Sequence, residues 1–171
     1  MKRVILLAMT LVLTASLFAA DEMKKLDFLV GEWKGDASIQ MGPGKPEQAL
    51  QFERVQSKQG GKVLLVEGTG KRKLEDGSAG EVVHDALAVM SWDEATKKYR
   101  FDAWTERSGY VEAWMEVGDQ KVTWGFDTPQ GGKVRYTIVL NDKGQWHETG
   151  GFSRDGNTWM PFFEMTLTKV K

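Results

Sequence analysis

The chain has no cysteine, which excludes disulfides, thiolate metal sites, a cysteine nucleophile and the thioether-linked lipid anchor of bacterial lipoproteins. Histidine is scarce. His84 and His147 are the only two, and no spacing motif joins either to a carboxylate cluster, so no metal site is expected. Neither sign of charge is in excess. Setting aside Lys2 and Arg3 in the first twenty residues takes the 23 basic residues to 21, against 24 acidic ones. Such a balance leaves no electrostatic footprint for nucleic acid or an anionic surface. Nucleophile signatures are missing too. Ser108 and Ser153 sit in turn contexts without a strand-to-helix elbow. Gly68-Thr69-Gly70-Lys71 lacks the spacing and the following helix of a phosphate loop, and reads as a strand end. No helix-period segment of any length follows the N-terminal region.

One long apolar run does occur. Val4 to Ala20 follows Lys2 and Arg3 and ends abruptly at Asp21 and Glu22. Its 17 residues are at the short limit for a membrane span, and the pattern predicts a secretory signal over residues 1–20. The domain is then 21–171, periplasmic or secreted, with no transmembrane segment once the signal is cut. Cutting after Ala20 or Ala19 leaves Phe18 or Leu17 where a small residue is usual, so an uncleaved anchor is the alternative.

What remains is strands and turns. Leu26, Leu29 and Val30 recur at helical spacing and predict a short helical turn that plugs one end of the fold. Ten strand-like runs follow, at about 31–41, 48–58, 62–73, 81–92, 98–106, 110–117, 121–128, 133–141, 145–153 and 158–170. Gly42-Pro43-Gly44, Gly60-Gly61 and Asp155-Gly156 are among the turns between them. The alternation is clean in the second half and poor in the second and fourth runs. In the second, Leu50 and Phe52 alternate but the phase slips to Val55, which predicts a bulge. The fourth gives no inner face. A sheet of this many strands curls or closes, so the expected fold is all-β, a single antiparallel ten-stranded meander β-barrel.

Candidate site residues come from the inner faces. Trp33, Trp124, Tyr136, Trp146, Glu148 and Phe163 are expected to line the lumen and touch a ligand, and Trp159 is placed on an inner face with them. Glu148 shares its face with Trp146, Gly150 and Phe152. A carboxylate there is costly unless paired or protonated. It could bind a polar ligand head, act as acid or base, or form a structural pair with a basic neighbour such as Arg135 or Arg54. Arg54 is inside or outside depending on the bulge. Trp104 and Trp114 fall on outward faces, where they could mark a partner surface. His147 falls outward; His84 has no assigned facing.

Leu26-Asp27-Phe28-Leu29-Val30-Gly31-Glu32-Trp33-Lys34-Gly35 is similar to the opening of a family of exported bacterial calycin-like proteins of unassigned function. Within it, Gly31-Glu32-Trp33 resembles the start of lipocalin barrels. Trp146-His147-Glu148-Thr149-Gly150, then Ser153 to Trp159 and Phe162-Phe163-Glu164-Met165-Thr166-Leu167, resemble the family's closing hairpin. The resemblance spans roughly residues 24–171 and implies a barrel of calycin type, like that of nitrobindin. It implies no activity. Nitrobindin-like proteins bind haem through a histidine, but no segment here matches their haem-binding pattern, so no cofactor is expected. The expected role is binding a small apolar or amphipathic molecule in the lumen. A cofactor-free enzyme using Glu148, and a ligand-free barrel that meets protein partners, are the alternatives.

Overall fold

The structure, a computed structural model, describes residues 19–40, 42–106 and 109–171. The expected leader lies outside the described residues except for its last two. Met41 and the Arg107-Ser108 part of a turn lie outside them as well. Residues 19–24 are helical, and a 3-10 turn covers Asp27–Leu29.

Ten strands follow: β1 (Gly31–Ile39), β2 (Glu47–Lys58), β3 (Val63–Lys73), β4 (Ala79–Asp93), β5 (Lys98–Thr105), β6 (Gly109–Gly118), β7 (Lys121–Asp127), β8 (Lys133–Leu140), β9 (Trp146–Ser153) and β10 (Met160–Lys169). Each pairs antiparallel with the next, and β1 pairs with β10, so the meander closes into a barrel. Closure removes both sheet edges, which otherwise expose unpaired backbone groups. The closing seam runs from Trp33↔Lys169 to Ile39↔Phe163. At Gly35 the strands come so close that a Cβ would stand 2.0 Å from the Thr166 carbonyl oxygen, so only glycine fits.

The N-terminal turn plugs one end, as its spacing predicts. Leu26 and Leu29 are fully buried, and the Trp33 indole N–H donates to the Leu29 carbonyl at 2.8 Å. Trp33 meets Trp146 edge to face at 5.8 Å. Met23, Leu64, Met90, Val122, Ile138 and Leu167 complete this floor, each nearly inaccessible to solvent. The Tyr99 hydroxyl donates to the Glu22 carboxylate at 2.9 Å and ties the helical segment to β5.

Three expectations are corrected. First, β2 has no bulge: its pairing runs unbroken from Gly31↔Val55 to Ile39↔Glu47 on one side and from Ala49↔Arg72 to Lys58↔Val63 on the other. Its inner face is Ala49, Gln51, Glu53 and Val55, all buried. Leu50 and Phe52 face outward. Second, the irregularities lie in β4 opposite Gly70–Lys73 and in β10 between Pro161 and Phe163. The β10 shift changes the phase of the residues before Phe163, so Trp159 is outside the barrel. Third, Gly68 and Gly70 lie within β3 rather than at its end.

Candidate functional site

Strand register brings two carboxyl groups into the middle of the lumen. Glu148, from β9, is 6 % exposed, and Glu53, from β2, is 8 % exposed. Glu148 receives two indole hydrogen bonds, from Trp124 Nε1 to Oε1 and from Trp146 Nε1 to Oε2, both at 3.2 Å. Trp146 reaches it because residues two apart on a strand share a face. Trp124 is two strands away. Glu53 receives the Gln51 amide at 2.7 Å, again from two positions along its own strand.

The opposing glycines make room for this polar wall. Gly68 pairs with Glu53, and Gly70 with Gln51. A Cβ on Gly68 would stand 2.7 Å from the Glu53 carboxylate, and one on Gly70 would stand 2.5 Å from the Gln51 amide oxygen. The polar side chains therefore lie flat across β3, in space that a side chain there would fill. His84 pairs with Gly70, and its Cβ lies on the same inner side. Several of the next inner positions on β4 to β6 are small, namely Ala86, Ala88, Ala103 and Ala113, with Phe101 and Val111 between them. The alanines add little volume to the lumen.

The facing wall is aromatic. Trp124 is stacked between Phe101 at 4.5 Å and Tyr136 at 4.2 Å, and Phe163 meets Tyr136 edge to face at 5.6 Å. Tyr136 and Phe163 crowd over Gly150, where a Cβ would stand 2.7 Å from the Tyr136 ring. Trp124, Tyr136 and Phe163 face inward yet are only half-buried, unlike the floor residues. Solvent therefore reaches part of this wall.

Burial dominates the electrostatics. Loss of solvent pushes the Glu53 carboxyl up to about 8; the Gln51 hydrogen bond opposes this and the nearby Glu148 charge adds to it. Loss of solvent also pushes Glu148 up to about 7, against the pull of the Trp124 and Trp146 hydrogen bonds. Tyr136 is held above the ordinary phenol range, first by burial and then by the Glu148 charge. Because the carboxyls feel each other, they titrate as a pair. Near neutral pH at least one holds its proton. Such a pair can donate and accept hydrogen bonds, or take up a positive charge by releasing a proton.

Of the expected lumen residues, Trp124, Tyr136, Trp146, Glu148 and Phe163 come together here, while Trp33 belongs to the floor. Neither suggested arginine partner of Glu148 is in the lumen. Arg54 faces outward near Glu32, at 3.8 Å, and Arg135 lies over the outer Trp159 ring at 4.0 Å. The carboxyl is paired with indoles instead. His147 is outward, with Nδ1 3.1 Å from the Thr166 hydroxyl. Trp104 and Trp114 are outward as expected, 42 % and 44 % exposed. Glu53 and Gln51 have no counterpart among the sequence-based candidates. The signal that could have found them is the unbroken phase from Val55 back through Glu53 and Gln51 to Ala49.

Comparison with known proteins places this fold. No protein-family model matches the chain, and no curated protein does. Among solved structures, the crystal structure of Rv2717c from M. tuberculosis is similar, with a TM-score of 0.61 and 11 % sequence identity over 87 % of this chain and 97 % of that one. At this identity the likeness is one of fold. The chain is thus a closed ten-stranded antiparallel β-barrel with a structural neighbour of nearly the same extent. Among the described residues no helix is long and apolar enough to cross a membrane.

Proposed function

We propose that this is an exported calycin-like barrel that holds one small amphipathic molecule in its lumen. The apolar body lies against Phe101, Trp124, Tyr136 and Phe163. The polar end meets Glu148 and Glu53, with Trp146 and Gln51 orienting the two carboxyls. One observation carries the reading: two carboxyls are buried beside an aromatic wall that solvent reaches, held by indole and amide hydrogen bonds, and among the described residues neither has an ion pair with a lysine or arginine. Buried acids without a counter-charge weaken the fold unless they serve something else. Their complement is a group that donates hydrogen bonds or carries positive charge, and aromatic faces favour the same charge. Export to the periplasm or beyond rests on the N-terminal pattern, and the calycin assignment on the terminal motifs and the barrel.

The reading needs no cofactor. A haem iron wants a histidine over an apolar floor, whereas His84 shares its wall with Gln51 and Glu53, and His147 is outside.

Titration of naphthylmethylamine, naphthylmethanol and naphthoate tests the reading, with tryptophan fluorescence as readout. The amine is expected to bind tightest and the carboxylate weakest. Glu148→Gln should weaken the amine by about tenfold and the alcohol little, since a desolvated charge–carboxylate contact exceeds a neutral one by about 1–2 kcal/mol. No saturable quenching by any of the three would refute it.

A second reading rests on Glu148 itself. A carboxyl held near neutrality in a partly dry cavity suits general acid–base catalysis without a cofactor. Turnover lost in Glu148→Gln, with binding retained, would favour it.

A further inference from the structure

The outward turn of Leu50 and Phe52 creates a second feature, unconnected with the lumen. The two apolar side chains lie half-buried on the outer face of β2. Register sets basic groups beside them: Lys34, Phe52 and Thr69 form one row across β1, β2 and β3, and Asp36, Leu50 and Lys71 form the next. Lys34 Nζ sits 5.5 Å from the centre of the Phe52 ring. At the end of the groove Lys73 reaches across to Asp36 at 2.7 Å, so each neutralises the other. Among the described residues Lys34 and Lys71 make no ion pair. The result is a groove of about 820 Å³ with an apolar floor, two uncompensated ammonium groups at its side, and Gly77 of the β3–β4 connection and Ala79 at the start of β4 along its edge.

We propose that this outer groove binds a single fatty carboxylate, with its chain along Leu50 and Phe52 and its head between Lys34 and Lys71. Charge complementarity selects an anion, since Asp36, the only carboxylate lining the groove among the described residues, is already held by Lys73. Shape selects one free molecule. An open groove edged by a turn lets one chain lie along its floor, whereas a flat bilayer would rest on the turn and leave the floor untouched. The lumen, with its buried acids, repels the same head group. The two sites therefore have opposite charge preferences, and this one stands whether or not the lumen takes a ligand.

Dodecanoate, kept below its micelle concentration, is the probe, with dodecyltrimethylammonium as the opposite-charge control. Amide and indole NMR signals report where it sits. The expected result is saturable binding of dodecanoate, with shifts centred on Lys34, Leu50, Phe52 and Lys71, and no matching response to the cation. The double variant Lys34→Glu, Lys71→Glu, changed only at exposed positions, should fold normally and bind dodecanoate at least about tenfold more weakly, since each reversal turns an attraction into a repulsion. Phe52→Ser should weaken it independently of charge. Three results would overturn the proposal: equal binding by the double variant, shifts confined to the Trp124 and Trp146 indole N–H signals, or binding to anionic vesicles without binding to monomeric dodecanoate.

Discussion

The floor of the barrel and the middle of its lumen adjoin, with Trp33 directly opposite Glu53 in the β1–β2 register, and are built on opposite principles. On the floor, Leu26, Leu29, Trp33, Leu64 and Leu167 are sealed from solvent, and the one polar atom of Trp33 is satisfied by the Leu29 carbonyl. In the middle, equally deep positions hold Glu53, Gln51 and Glu148. Apolar packing there would have served stability better. The contrast teaches that this fold takes its stability from the plugged end and can afford an unfavourable charge arrangement further up. Where a barrel carries such a cost, the group that bears it is the place to look for function.

The largest effect that could break this contrast is expected on the floor. Trp33→Ala should cost about 3–5 kcal/mol of unfolding free energy in urea, through lost burial and the cavity left behind. A loss below about 1 kcal/mol would mean that the floor is not the stabilising end.

The lumen should respond in the other direction. Both carboxyls are raised above their unfolded values, so between pH 4.5 and about 8 the folded state binds more protons than the unfolded one, and stability falls as pH rises. Glu53→Gln removes one of these groups. Near pH 4 the variant should match the parent, and at pH 9 it should be more stable, by on the order of 3 kcal/mol. Thermal melts at the two pH values check this. A variant less stable at both would show that Glu53 is a structural anchor.

Gly68→Ala is a milder probe of the same wall. The added methyl has no room beside the Glu53 carboxylate, so the carboxyl must swing away, at a cost of about 1–2 kcal/mol. Rescue of the loss by Glu53→Ala in the same chain would confirm the contact; additive losses would deny it.

The smallest effect belongs to the outer surface. Arg54→Ala removes a long, exposed ion pair with Glu32 and should change stability by less than about 0.5 kcal/mol. A larger loss in urea titration would give the outer face a share of stability that the contrast denies it.

Legibility in the sequence followed the same division. β5 to β9 could be read because apolar and polar residues alternate there, as in Val111, Ala113, Met115 and Val117. Glu148 was visible because Trp146 and Phe152 mark its face. The wall made by β2, β3 and β4 hid itself. Away from the plugged end its inner residues are polar or small, while Leu50 and Phe52 carry the apolar signal outward, so periodicity pointed the wrong way and the slip to Val55 mimicked a bulge. Trp159 was misplaced because a real irregularity, between Pro161 and Phe163, leaves no trace in composition. The bond from Trp124 to Glu148 spans 24 positions and becomes visible only once the register of β7, β8 and β9 is known.

The most direct test is a carbon NMR titration of the glutamate side-chain carboxyls, with Glu53→Gln and Glu148→Gln used for assignment. The arrangement predicts that two carboxyls release their protons as a coupled pair near pH 7 to 8, well apart from the surface glutamates. Two ordinary titrations near 4.5 would show that water reaches both groups freely and that the lumen has no buried acid pair.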